Sequence, residues 1–259
     1  MAKSNGLGDN LFVHGIDASG DVGAVNTIAG RKAVLDVTAI NASAVERIGA
    51  LGDGEISWNA FWNDGAAASR AAAAGSTFYQ FSSLPTTDIV VTYCRGTTLG
   101  NPAACLSAKQ VNYDPTRGND ASLMATIQAL ASAGSPLDWC KQVTAGKVTH
   151  ASATTSTGYV DTAGTTAGGV GYLQYFSRSS GTPTFIIQHS SDTTNGTDGT
   201  WATLLTFAGT GGTTAFGERK EVTGTVNKGI RAQTTGTFSN AIFAMAFRRG
   251  TTVDDKSLA

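Results

Sequence analysis

Charge is scarce in this chain. Only 14 % of its 259 residues are Asp, Glu, Lys or Arg, against roughly 25 % in an ordinary soluble domain, so Thr, Ser, Asn and Gly must supply most of the polar surface. The 18 basic and 19 acidic residues leave a formal net charge of -1 and gather into no block of one sign, which argues against tight nucleic-acid binding through clustered Lys and Arg. Long apolar runs are missing too. Stretches such as AIFAMAF fall far short of the roughly 20 residues of a membrane span, and the opening MAKSNGLGDN lacks the apolar core of a signal peptide, so neither a span nor export by that route is expected. Cysteine is rare and odd in number, with Cys94, Cys105 and Cys140 showing no CxxC spacing. In a chain made in a reducing cytoplasm, buried free thiols are one reading. A Cys94 to Cys105 disulfide across the turn RGTTLGNPAA is the other. Helical periodicity is confined to one place, between Trp62 and Asp88, where an Ala-rich run precedes Phe78, Phe81 and Leu84 and Pro85 ends the pattern. The Ala run equally reads as an exposed insertion.

What the chain has instead is alternation. Its 32 glycines and many Thr-rich alternating segments predict a mainly β protein with Gly turns. In the first part, strands are expected at about Leu11 to Ile16, Lys32 to Ile40, Gly54 to Trp62, Asp88 to Arg95, Ala104 to Tyr113, Ala121 to Leu130 and Leu137 to Thr144. The segment GKVTHASATTSTG is poor in large apolar residues and reads as a linker. Alternation then returns in GYLQYFSRS, TPTFIIQHSSD, GTWATLLTFAG, AFGERKEVTGTV, KGIRAQTTGT and NAIFAMAFRR, a spacing that suits a β-sandwich. The expected organisation is a first domain over 1–148, a linker over 149–158, a C-terminal β-sandwich over 159–250 and a flexible tail over 251–259.

No enzymatic constellation stands out. His14, His150 and His189 lie in no nucleophile motif and read as surface or structural residues. The loop SSDTTNGTDGTW offers Asp192, Asn195 and Asp198 as oxygen ligands but fits no EF-hand and reads better as a hairpin turn. The Gly-rich AGTGGTTAFG lacks the GK[ST] ending of a phosphate loop. Trp201 with Tyr172 and Tyr175 could stack on sugars, although such residues more often form sandwich core. Asp36 and Glu55, on strands expected to pair, could act as acid and base if held a few ångströms apart, yet they have no recognisable catalytic partner. No catalytic residue, cofactor or metal is expected.

Taken together, LDVTAINASAVERIGALGDGEISWNAFWN, LPTTDIVVTYCRGTTLGNPAACLSAKQVNYDPTRGNDASL and LDWCKQVTAGK resemble the major tail tube protein of long-tailed, non-contractile phages, particularly those of actinobacterial hosts. The pattern covers about residues 5–148. The second half resembles the β-sandwich additions of phage tail proteins.

The resemblance implies a tail-tube β-barrel/sandwich domain with one short helix, and a C-terminal sandwich on the tube exterior. It implies a virion protein, assembled in the host cytoplasm, whose hexameric rings stack into a tube for genome delivery. The implied partners are further copies of the chain, tape-measure and tail-terminator proteins, and double-stranded DNA in transient passage, with no membrane. Alternation on GEISWNAFW puts Ile56, Trp58, Ala60 and Trp62 on a core face, and on VLDVTAI it puts Leu35, Val37 and Ala39 there. That leaves Asp36, Thr38, Glu55, Ser57 and Asn59 as lumen candidates, with Lys109, Ser122, Thr126 and Gln128 as weaker ones. The stretch Asn41 to Gly54 is expected to be a long loop whose Glu46, Arg47 and Asp53 touch a neighbouring subunit or ring. Residues 1–148 hold 10 basic and 12 acidic residues, a balance that suits a conduit which must not grip DNA. A glycan-binding surface adhesin, or another phage structural protein such as a decoration or minor tail component, is the rival reading.

Overall fold

A computed structural model describes residues 8–41, 43–63, 77–132, 134–207 and 214–250. The Ala-rich run after Trp62, most of AGTGGTTAFG, the first residues and the tail after Gly250 lie outside them. Within them the chain is mainly β, as its alternation predicts. The first half comprises β1 (Asn10–Val13), β2 (Ile16–Asp17), β3 (Val22–Asp36), β4 (Arg47–Phe61), the five-residue helix α1 (Thr77–Phe81), β5 (Ile89–Cys94), β6 (Pro102–Arg117), β7 (Leu123–Ala131) and β8 (Asp138–Gln142). The second half comprises β9 (Val148–His150), β10 (Thr154–Thr155), β11 (Tyr159–Val160), β12 (Gly169–Ser177), β13 (Ser180–Gly181), β14 (Thr184–Ser190), β15 (Ala202–Thr206), β16 (Phe216–Val222), β17 (Gly229–Thr235), β18 (Phe238–Ser239) and β19 (Ala241–Arg249). Among the described residues no helix is long and apolar enough to cross a membrane.

One large sheet runs in the order β16-β12-β19-β8-β6-β5-β1-β2, and from β6 a branch continues through β7 and β4 to β3. The long strand β6 makes the branch possible: its first residues pair with β5 and β8, while Ala108 to Arg117 pair with β7. A second sheet, β10-β17-β14-β15 with β11, closes the sandwich of the second half. Residues 149–158, expected as a linker, carry the end of β9, which pairs with β19, and β10, which pairs with β17. His150 lies buried there, with its ring nitrogens 2.8 Å from Thr234 Oγ1 and 2.9 Å from Ser156 Oγ.

Three apolar clusters follow from this topology. One lies under the branch, where Trp58 packs edge-on against Phe81 with ring centroids 5.9 Å apart. Another fills the second-half sandwich around Tyr175, Phe185 and Phe243. The third joins the halves through Phe12, Cys105, Cys140, Tyr172 and Ala246. The three cysteines are free and buried, and burial pushes the Cys94 thiol up to about 12. The register puts Cys94 opposite Ala103 and Cys105 opposite Thr92, so the two thiols are not directly paired across the hairpin.

A polar seam reinforces the junction. The carboxylate of Asp138, 1 % exposed, accepts a 2.5 Å hydrogen bond from Tyr172 and lies 3.3 Å from Arg248 Nη2 and 3.8 Å from Arg219 Nε. The Gln174 side chain donates to Val90 O and Thr92 Oγ1 and accepts from the Gly15 amide. Gly15 itself turns at φ 82°, and a Cβ there would meet Tyr175 O at 2.3 Å. Removing one member of a buried ion cluster strands the others, at a cost of about 3–5 kcal/mol. Asp138→Asn is therefore expected to lower unfolding free energy on that scale in urea titrations; a loss below about 1 kcal/mol, the scale of an exposed pair, would mean that the seam is not what joins the halves.

Candidate functional site

The strands β3, β4, β7 and β6 present one apolar face, packed on the core, and one polar face, on which Asn59 is half-buried and Ser57 is buried among its neighbours. On β4, Ile56, Trp58 and Ala60 are buried and point into the first core, with Trp62 half-buried against the Phe78 ring. The alternate residues Glu55, Ser57 and Asn59 share the other face, opposite Leu130, Gln128 and Thr126 of β7, which in turn face Lys109, Asn112 and Asp114 of β6.

These side chains interlock. Glu55 pairs with Arg31 of β3 at 3.0 Å and accepts 2.8 Å from Gln128 Nε2. Asn59 Oδ1 accepts from Asn26 Nδ2 at 2.9 Å and Thr126 Oγ1 at 3.0 Å. Lys109 reaches Asp88 at 3.0 Å, and Ser132 holds the same carboxylate at 2.7 Å. The Asp88 carboxyl lies below its usual range because Ser132 and then Lys109 hydrogen-bond it. The exposed Lys109–Asp88 pair stabilises little, about 0–1 kcal/mol, while the Arg31–Glu55 pair sets an exposed guanidinium against a largely covered carboxylate; both neutralise the face locally. Of the weaker candidates, Lys109, Thr126 and Gln128 join this face. Ser122 lies in the β6–β7 turn, held to Asp120 at 2.7 Å.

Both edges of this four-stranded unit are open. Among the described residues β3 pairs only with β4, and β6 beyond Ala108 pairs only with β7. Pro115 sits in that stretch of β6, as an edge position permits.

Asp36 and Thr38 do not belong to the face. The β3–β4 pairing is far longer than alternation suggests: β4 begins at Arg47, so the expected loop from Asn41 to Gly54 is strand over its second half, and the turn is confined to 37–46. The hairpin beyond Gly30 and Gly54 projects as an arm. Asp36 pairs in register with Arg47, whereas Glu55 pairs with Ala29. Those positions are seven residues apart on β3, about 23 Å of extended chain, which removes the carboxylate pair as acid-base machinery. Thr38 Oγ1 donates to Asp36 Oδ1 at 2.6 Å and accepts from the Glu46 amide at 2.9 Å, bracing the arm's end. These bonds from Thr38 hold the exposed Asp36 carboxyl below its usual range. Leu35 and Val37, expected in the core, are exposed, because among the described residues no element covers the arm. Ala39 is exposed as well. Glu46 and Arg47 lie on the exposed arm, and Asp53 at its base accepts from the Gly54 amide at 2.8 Å.

The other sequence candidates are structural in geometry. Asp192 Oδ1 accepts from Ser190 Oγ and the Thr200 amide, Asp198 Oδ1 from Thr193 Oγ1, and Asn195 Oδ1 from the Thr197 and Asp198 amides, so the loop consumes its own oxygens. Among the described residues no cluster of three His, Cys, Asp or Glu is arranged to hold a metal. Tyr172 and Tyr175 are buried, and Arg231 covers the Trp201 ring at 4.1 Å.

The three histidines act as neutral partners. His14 and His189 accept from the amides of Gly217 and Asn227. Burial pulls the pKa of each below its ordinary 6.5, with Arg249 adding to the effect at His189. A folded-state pKa below the unfolded value gives stability that is complete above about 6.5 and is lost as pH falls through the folded values. Thermal unfolding is therefore expected to show its highest Tm above pH 7 and a decline toward about pH 5, before carboxylates titrate. A flat Tm over that interval would contradict it.

No protein-family model matches the chain, and no curated protein matches it. Among solved structures it is similar to a chain of the virion of a native gene transfer agent particle, at 13 % identity and TM-score 0.35 over 53 % of this chain and 98 % of that one. It is also similar to the SPP1 Dit protein, described as a paradigm of hub adsorption apparatus in phages infecting Gram-positive hosts, at 8 % identity and TM-score 0.32 over 93 % of this chain and 99 % of that one. A chain of the phage p2 baseplate in its activated conformation is similar at 10 % identity and TM-score 0.33, over 95 % and 99 % of the two chains. At TM-scores this low the likeness carries no functional argument.

Proposed function

We propose that this chain is a non-enzymatic structural protein of a phage virion that polymerises as stacked hexameric rings into a tail tube, a conduit for genome delivery. The observation that carries the reading is the four-stranded unit β3-β4-β7-β6, with one polar face and two open edges. A long open edge invites pairing with another chain. When the two edges of one sheet differ, pairing between copies is heterologous, and rotation closes it into a ring without edges. In such a ring the core face of every copy stays covered and the polar face becomes the inner wall.

That wall would suit passing DNA. Affinity for DNA grows with each phosphate that an available Lys or Arg neutralises. Arg31 and Lys109, which belong to this face, are each engaged by a carboxylate of the same chain. The partners of the reading are further copies, tape-measure and terminator proteins at the ends of the tube, and double-stranded DNA in passage; the place of action is the virion tail, after assembly in the host cytoplasm. The sequence resemblance to tail tube proteins supports the same reading. A glycan-binding role gains nothing from Tyr172 and Tyr175, which are buried, or from the Trp201 face that Arg231 covers.

Negative-stain microscopy of the purified chain at high concentration is expected to show tubes of uniform width, and persistent monomers at every concentration would sink the proposal. Glu55→Lys would release Arg31 and add a second cation to the wall. Virions built with it are expected to assemble normally but to release DNA several-fold more slowly at low salt, with recovery as salt rises. Unchanged release would remove this face from the lumen.

A further inference from the structure

The outer face of the second sheet carries a cation that no carboxylate answers. The strands of that sheet, β10, β11, β14, β15 and β17, contain no Asp or Glu. Ile187, Leu205 and Ala232 turn inward to the core of the second half. The register therefore sets Arg231 of β17, Gln188 of β14 and Thr203 of β15 side by side on the opposite face, in a row two strand spacings, about 10 Å, across.

Arg231 is held rigidly in that row. Its guanidinium lies 4.1 Å over the Trp201 ring, which is itself fixed by a 2.8 Å hydrogen bond from Trp201 Nε1 to Asp198 O. Arg231 Nε donates to Gln188 Oε1 at 2.8 Å. Only an oxygen can accept there, so the amide of Gln188 has one orientation and its Nε2 remains a donor. Both Nη groups of Arg231 and the Nε2 of Gln188 lack a partner among the described residues, and none of them is sealed from solvent.

The surroundings supply positive charge and no negative answer. Burial lowers the Arg231 pKa from its ordinary value, with no ion pair to offset it. Asp192 and Asp198 of the adjoining loop are taken up by hydroxyls and an amide of that loop. Lys220 reaches Thr206 O of β15 at 2.6 Å, a second cation beside this sheet that meets no carboxylate among the described residues. A guanidinium fixed by stacking presents two parallel N–H groups at the spacing of two oxyanion oxygens and loses little freedom when it binds them. We infer that this face binds an oxyanion, a phosphate or a carboxylate carried on a hydroxyl-rich molecule. The Nη groups of Arg231 take two of its oxygens, Gln188 Nε2 adds a third donor, and Thr203 and Gln233 flank the bound group. Trp201 supports the cation and is not a stacking surface for the ligand. The site lies in the other half from the proposed tube wall, is complete in a single chain, and does not depend on assembly.

Saturation-transfer NMR on the full chain tests this, because it reads weak ligands on monomers and on large assemblies alike. The probes are glycerol 1-phosphate and galacturonate, with glycerol and galactose as their neutral counterparts. Transfer to one or both anions and none to the neutral compounds is expected, and the stronger of the two tells a phosphate source from a carboxylate one. Arg231→Gln is expected to cut the transfer by roughly tenfold or more, the worth of hydrogen bonds to a charged group. Arg231→Lys, which keeps the charge but not the fork, is expected to cut it by roughly threefold or more. Thr203→Glu changes an exposed side chain, leaves Arg231 in place and offers the fork a carboxylate of its own, so it is expected to abolish transfer while the Tm shows the sheet intact. No transfer to either anion, transfer to the neutral compounds as strong as to the anions, or full binding by Arg231→Lys or Thr203→Glu would overturn the site.

Discussion

A carboxylate without water must be answered by its surroundings, and at Asp138 that requirement ties the molecule together. Its strand, β8, belongs to the first half, while Tyr172, Arg219 and Arg248 come from β12, β16 and β19 of the second. Separating the halves would leave a carboxylate and two guanidinium groups to find water at the same moment that the apolar cluster around Phe12 and Tyr172 opened. The sheet is continuous across the same line, because Ala246 and Phe247 of β19 pair with Gln142 and Lys141 of β8. The second half is thus a brace fixed to the first by backbone, apolar and ionic contacts at once.

The brace matters because of what β6 has to do. Its first residues lie between β5 and β8, held against the second half, and its last residues carry β7 and through it β4 and β3. One strand therefore transmits the orientation of the braced body to the open polar face. A ring whose copies pair edge to edge needs that face at a fixed angle, since small errors at each of several interfaces accumulate around the circle. If the polar face is the wall of a tube, as proposed, a brace behind it is a physical reason for the subunit to carry a second half at all.

Much of this was legible in alternation, and the failures have definite causes. The strands at Gly54 to Trp62, Asp88 to Arg95 and Ala104 to Tyr113 emerged with boundaries shifted by only a few residues, except where β4 and β6 run on with exposed side chains and no amphipathic signal. The first part of β3 was missed because register shifts after Val22, Val25 and Lys32 break its period of two. Alternation puts Leu35 and Val37 on the core side because it tells which side chains share a face, not whether anything covers that face. Residues 149–158 looked like a linker for want of large apolar side chains, yet Thr149 and His150 pair through the backbone with β19, and backbone pairing needs no such side chains. The Asp138 seam was invisible in sequence, because its partners lie 34 to 110 positions from Asp138 and only the sheet order brings them together.

The scarcity of charge also takes on a physical meaning. Monomeric proteins keep long strand edges and apolar ribbons from associating by dressing them with charge. Here the ribbon from Arg31 to Asp53 has its charges near its base and beside its turn, with Val34, Leu35, Ile48 and Leu51 bare between them. On the polar face the cations Arg31 and Lys109 are spent on carboxylates of the same chain. A sequence under pressure to stay monomeric would gain from charge at both places, whereas one that must bury the ribbon and let a polyanion pass the face would lose by it: a stranded charge in the first case, a phosphate contact in the second. On the proposed tube reading low charge follows from those two demands together, and neither of them arises for a chain that works alone.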